Sequence, residues 1–218
     1  MARVISNNYR YKFRRKDADR SFIRQIHIYT EGSVTEPEYL KIVRDKILSS
    51  GSCRNSGSFF KLNVKHSGTK SSPNNIRKSI REDIKYFGDK NFNEVWVLMD
   101  KDDWGMQAIE ALENDRQIAL KTSKFNVLVS NPKFELWLIL HFENGFGIMT
   151  SSEVDKKIQK HIPGYNKHCD KRMFTRDNVL KAISRAKILK NQNKSAYTDV
   201  YRLVERIFAL IEEYELHK

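Results

Sequence analysis

Apolar side chains in this chain fall into two alternating spacings. Short runs in which every residue, or every second residue, is apolar give way to stretches where apolar residues recur at three and four. A first strand beginning near residue 22 closes with Gln25-Ile-His-Ile-Tyr-Thr30, and Tyr39, Leu40, Val43 and Ile47 then mark the buried stripe of a helix. Phe59 to Lys65 alternates, with Phe60, Leu62 and Val64 apolar, as expected of a strand nearer a sheet edge. Ile76, Ile80, Ile84 and Phe87 return to helical spacing. Val95 to Met99 is apolar at every position, the pattern of a strand buried on both faces. Met106, Ile109 and Leu112 give the inward side of a helix predicted over Gly105 to Leu120, and Phe125 to Val129 is the next strand. Phe134 to Phe142 is apolar nearly all round, so that helix is buried.

From about residue 147 onward only helical spacing remains: Val154, Ile158 and Ile162, then Val179 to Leu189, then Val200 to Tyr214. The order of elements predicts an α/β fold with a parallel four-stranded sheet, helices on both of its faces, and a helical C-terminal extension. The chain divides accordingly into an N-terminal arm (1–21), a core (22–146) and a helical, partly basic C-terminal region (147–218).

Local signals place the helix ends. Thr35 reads as the cap of the first helix, with Glu38 as its capping-box partner. Ser72 caps a helix with Pro73 at its first position, Asn131 followed by Pro132 caps the buried helix, and Pro163-Gly164 stops a later one. The loop from His66 to Ser72 is rich in Gly, Ser and Lys and is expected to touch phosphate, but it lacks the GxxxxGK[ST] spelling of a nucleotide-binding loop.

Composition narrows the class. Of 218 residues, 39% are hydrophobic and 31% charged, which suits a globular chain, and no run approaches the roughly 20 apolar residues of a membrane span. Met1 to Tyr11 has no apolar core of a signal peptide, so a cytoplasmic location is expected. Cys53 and Cys169 stand far apart without a CxxC or Cys/His cluster, which argues against zinc and for a reduced state. The net charge is +13, and all of the excess lies in two stretches. Residues 1–24 carry eight Lys/Arg against two Asp, and residues 165–194 carry nine against two. A polyanion is the physical partner such patches suit, nucleic acid rather than membrane because no apolar face accompanies them; solubility alone is the bland alternative. The patch residues are Arg14, Arg15 and Lys16 in the arm, and Arg176, Lys181, Arg185 and Lys187 on a late helix.

The chemistry sits where the third strand ends in acid, at Asp100, Asp102 and Asp103. Taken alone, Asp-x-Asp after a strand is also what a polar loop with helix-capping aspartates looks like. The first strand, however, runs straight into Glu31-Gly32, and ligands of open α/β sheets collect beyond the carboxyl ends of the strands. If the two strands are neighbours, Glu31 meets Asp100 and Asp102 across one crevice. Carboxylates so placed repel unless a cation lies between them, and hard oxygen donors suit Mg²⁺ or Mn²⁺. Glu135, in the first turn of the buried helix at the same face, either complements the helix dipole or joins that site. Glu36 is either a dipole-favoured acid or, with Asp103, a carboxylate standing behind the ligands. His141 is two turns further along and is expected to be a core histidine.

Glu31-Gly32-x-x-Thr35-Glu36 with Asp100-x-Asp102 resembles the Toprim domain of topoisomerases, bacterial primases and OLD-family nucleases. Ser130-Asn131-Pro132-Lys133-Phe134-Glu135-Leu136-Trp137, with His141-Phe142 and Tyr165-x-Lys167, resembles more specifically the RloB-like family, over roughly residues 22–205. Lys194 to Asp199 departs from the Asn-Pro-Ser-Thr run expected there. The resemblance implies a Toprim-type nuclease-like centre in bacterial anti-phage defence or abortive infection, often encoded beside an AAA-type ATPase. Strand passage would need a tyrosine domain, and priming normally a zinc module; neither is visible, so nuclease is the chemistry implied. Glu31, Asp100 and Asp102 would then hold the metal, with Glu135 or Glu36 completing the site, and DNA, RNA or tRNA as substrate. Two alternatives stay open: a non-hydrolytic subunit that binds nucleic acid or a trigger, and a Mn²⁺-dependent DxD nucleotidyl or glycosyl transferase. Homo-oligomerisation is left open.

Overall fold

The computed structural model describes residues 23–48, 60–66, 72–101, 104–192 and 195–216. Arg14, Arg15, Lys16, Asp102, Asp103, the Ile47 side chain and most of the loop from His66 to Ser72, all singled out above, lie outside the described residues.

Strand β1 (Arg24–Thr30) leads into helix α1 (Thr35–Leu48), β2 (Phe60–His66), α2 (Pro73–Phe87) and β3 (Glu94–Asp100). Two short helices, α3 (Met106–Glu113) and α4 (Arg116–Ala119), precede β4 (Lys124–Asn131) and α5 (Glu135–Ile139). Helices α6 (Ser151–His161) and α7 (Arg176–Gln192), strand β5 (Tyr197–Thr198) and helix α8 (Val200–Leu216) complete the described chain. The strand order is β2-β1-β3-β4-β5, with the first four parallel and β5 antiparallel to β4. β1 and β3 are therefore neighbours, with Thr30 opposite Leu98.

Alternation along the strands sorts the core into two layers. Ile26, Ile28, Trp96, Leu98 and Leu128 face α1 and the helices from α5 to α8. Tyr29, Val95, Val97, Met99, Val127 and Val129 face α2, α3 and α4. Val95 to Met99 of β3 are all apolar because both faces of the strand are covered. The C-terminal helices share the first of these layers, so residues after 147 pack as part of the core that supports the sheet. Arg206 of α8 also grips Glu94 at the start of β3 through contacts of 2.6 and 2.9 Å. No helix among the described residues is long and apolar enough to cross a membrane.

Four expectations are corrected. The sheet has a fifth strand, two residues long, which leaves no period to read; Ser130 Oγ and Thr198 Oγ1 lie 2.9 Å apart across it. Asn131 ends β4 instead of capping α5, and its amide donates to Ser195 O at 2.7 Å. The helix predicted over 105–120 breaks at buried Asp115, whose carboxylate accepts from Gln117 N and Ile118 N and pairs with Arg81 at 2.6 Å; Met106 is left exposed. Thr35 and Glu38 form no capping box, because both are drawn into contacts with a loop 130 residues away, described below. Ser72 does cap α2, accepting from Asn75 N, and His141 is a core residue, bonded to Tyr39 Oη at 3.0 Å and to the Trp137 carbonyl.

Candidate metal centre at the carboxyl ends of the strands

Glu31 follows the last residue of β1, and its backbone N–H still reaches across to Leu98 O at 3.1 Å. That ladder contact aims its side chain at β3. Glu31 Oε2 accepts from Asp100 N at 2.9 Å, and Oε1 accepts from Trp104 Nε1 at 2.6 Å. Glu36, in the first turn of α1, is buried and accepts from Gly32 N at 2.9 Å. A Cβ at position 32 would lie 2.1 Å from Glu36 Oε2, so glycine there makes room for the carboxylate. Glu135, in the first turn of α5, accepts from Tyr165 Oη at 3.1 Å.

These three glutamates and Asp100 line one cavity of about 310 Å³, together with Thr35, Lys133 and Lys167. Burial, and then the negative charges of Glu36, Glu135 and Glu31, push the Asp100 carboxyl up to about 9. Burial also raises Glu36, partly offset by backbone hydrogen bonds, with Glu135 and Glu31 adding to the rise. The crevice thus concentrates negative charge where solvent is scarce, and a proton or a cation must relieve it. Burial and the Glu135 charge likewise hold the Tyr165 phenol well above the ordinary range.

The donor set fits a hard divalent cation, being carboxylate oxygen throughout. Among the described residues, no three His, Cys, Asp or Glu side chains stand close enough to form a ready cage. Asp100, Glu31, Glu36 and Glu135 nevertheless line one crevice, and Asp102 and Asp103 lie outside the described residues.

The sequence reading missed the loop that closes this crevice. Tyr165 Oη lies 3.1 Å from Thr35 Oγ1, which in turn donates to Lys167 O at 3.0 Å; Cys169 N donates to Glu38 Oε2 at 2.7 Å. No local pattern signals such contacts between residues so far apart, although Tyr165-x-Lys167 was visible as part of the family likeness. On α7, the predicted basic residues have differing surroundings. Arg185 donates to Leu140 O at 2.8 Å, Lys187 pairs with Glu205 at 2.5 Å, and Arg176 lies over the Phe208 ring. Lys181 is exposed.

Fold and crevice together define a mostly parallel α/β protein with an acidic cavity beyond the carboxyl ends of neighbouring strands. Residues 26–207 match the family model for RloB-like proteins, and the chain belongs to that family. A search of the curated proteins and a search of the solved structures each gave no match.

Proposed function

We propose that this chain is a divalent-metal-dependent, Toprim-type nuclease of bacterial anti-phage defence, hydrolysing phosphodiester bonds of DNA or RNA in the cytoplasm. The observation that carries this reading is the convergence of Glu31, Glu36, Asp100 and Glu135 on one cavity at the carboxyl ends of adjacent strands. Glu31 and Asp100, with Asp102, would hold Mg²⁺ or Mn²⁺, which when bound supplies Lewis-acid neutralisation of the phosphate and acidifies water. The protein's own part is orientation. The Trp104 indole and the Asp100 N–H fix Glu31, Gly32 N fixes Glu36, and Tyr165 fixes Glu135. In the reaction water adds to phosphorus, the bond to the leaving 3′ oxygen breaks, and that oxygen takes up a proton.

An open crevice of this kind would damage its host if always active, so restraint by a partner, an AAA-type ATPase on the family likeness, is part of the proposal. The test is cleavage of labelled DNA and RNA by the purified chain with Mg²⁺ or Mn²⁺, alone and with the protein encoded beside it. Cleavage that Asp100→Ala reduces beyond the roughly 10–100-fold worth of a supporting contact is the expected result. Cleavage equal in parent and variant would defeat it. One observation favours the non-hydrolytic alternative, a subunit that binds nucleic acid or a trigger: the lack of a ready three-residue cage among the described residues. Tight nucleic-acid binding without cleavage under any metal would decide for that alternative.

A further inference from the structure

Lys167 stands out from the rest of the backbone. Among the described residues it is the sole non-glycine residue with positive φ, at 74°. Glycine enters that region freely and lysine does not, so keeping lysine there opposes the backbone preference. The surrounding contacts over-determine it on both sides. Thr35 donates to its carbonyl, Tyr165 two residues earlier is held by Thr35 and Glu135, and Cys169 two residues later is held by Glu38. Strain retained in a cleft is a feature of ligand-handling sites.

Lys167 lines the same cavity as Glu31, Glu36, Asp100 and Glu135. The other lysine of that lining, Lys133, is held by Asp155 at 2.6 Å. Lys167 is exposed and has no ion-pair partner among the described residues. A cation on the lining of this cavity, in no ion pair with its acids among the described residues, is available to an anionic group of a ligand. Its ammonium is a compact point charge of the kind that binds phosphate.

We propose that Lys167 binds the substrate's phosphate, contacting a non-bridging oxygen and offsetting the charge that develops on it, so that the C-terminal region supplies one wall of the active site. This rests on the phosphodiester reading above. It also means that the core read from the sequence, residues 22–146, would by itself lack a substrate contact.

The experiment compares the parent, Lys167→Gly and Lys167→Arg. Each is measured for thermal midpoint, Mn²⁺ affinity, binding of short fluorescein-labelled single-stranded DNA and RNA in Ca²⁺, and cleavage of the same oligonucleotides in Mg²⁺ or Mn²⁺. Lys167→Gly should keep or raise the thermal midpoint, because the backbone is relieved, and keep Mn²⁺ affinity. It should bind the oligonucleotide about 10-fold more weakly, the worth of one charged hydrogen bond. Cleavage should fall about 100-fold or more, as for loss of one donor to a developing oxyanion. Lys167→Arg should recover part of both. Unchanged oligonucleotide binding and cleavage in Lys167→Gly would overturn the assignment while leaving the nuclease reading standing. A parent that binds through Lys167 but cleaves nothing would instead remove the nuclease reading and leave the phosphate contact. If nothing cleaves and Lys167→Gly binds as the parent does, both fail.

Discussion

The two ends of strand β3 treat a shielded acid in opposite ways. At the amino end, Glu94 is 3% exposed; Arg206 grips it at 2.6 and 2.9 Å, and Trp96 Nε1 donates to it at 3.1 Å. At the carboxyl end, Asp100 has no ion pair among the described residues, and its charged neighbours are Glu36, Glu135 and Glu31. Seven residues therefore carry one carboxylate settled by the fold and one left in repulsion. The first ties α8 to the sheet and does structural work. The second holds electrostatic strain that only a ligand or a proton relieves, which is how functional sites depart from the local rules that stabilise a fold.

Breaking each end should move stability in opposite directions. Arg206→Ala leaves Glu94 buried and uncompensated, with an expected cost of about 3–5 kcal/mol in urea unfolding. A loss under about 1 kcal/mol would mean that the pair is not what holds α8 to the strand. Asp100→Asn should stabilise the metal-free chain. The Asp100 carboxyl rises from its ordinary 3.8 to about 9 on folding, so the folded state binds a proton that the unfolded state releases between those values. Parent stability therefore falls as pH rises through that window. The asparagine variant should gain on the order of 4 kcal/mol at pH 7 and nothing below about pH 4. A variant no more stable than the parent at neutral pH would show that the carboxyl end is not under strain.

A third buried ionisable group sharpens the contrast, because it is satisfied while neutral. Burial lowers His141 from 6.5 to about 4, against hydrogen bonds to the Trp137 and Leu138 carbonyls that raise it. Here the unfolded state binds the extra proton. Its contribution is complete above about pH 6.5 and declines by about 3 kcal/mol as pH falls to about 4, opposite in sign to that of Asp100 over the same range. His141→Gln should therefore leave stability falling more steeply with rising pH between about 4 and 6.5 than in the parent; an unchanged profile would show that His141 does not titrate with folding.

The smallest effects belong to the basic face of α7. Lys181 is exposed, whereas Lys187 is paired with Glu205 and Arg185 with a backbone carbonyl. Lys181→Ala should lower the log–log salt slope of nucleic-acid binding by about 0.9 for duplex DNA or roughly 0.7 for single strands. Lys187→Ala should lower it less. Equal slopes for all variants would remove α7 from the interface.

The carboxyl end of β3 was legible in the chain and the amino end was not, for a physical reason. Val95 to Met99 reads as a doubly buried strand because its apolar run is local, and Asp100, which ends it, falls at the carboxyl end of the strand by the geometry of parallel sheets. The adjacency of β1 and β3 then brings Glu31 to Asp100. The partner of Glu94 lies 112 residues away on a helix whose apolar spacing says nothing about which arginine will turn inward. The same holds for Thr35 and Glu38, which look like a local capping box and are used over a separation of 130 residues or more. Strand β5 is too short to show a period, and the break at Asp115 depends on Arg81 from α2.

A metal centre at this crevice requires Asp100 to give up its proton to a cation. Calorimetric titration of Mn²⁺ into the purified chain at pH 7.5, in two buffers of different ionisation enthalpy, tests this directly. With Asp100 pushed up to about 9, binding should be saturable and should release about one proton per ion, so the measured heats differ between buffers. Asp100→Asn should lose both the binding and the buffer dependence. Mn²⁺ affinity in Asp100→Asn equal to that of the parent, with heats independent of buffer, would contradict the metal centre.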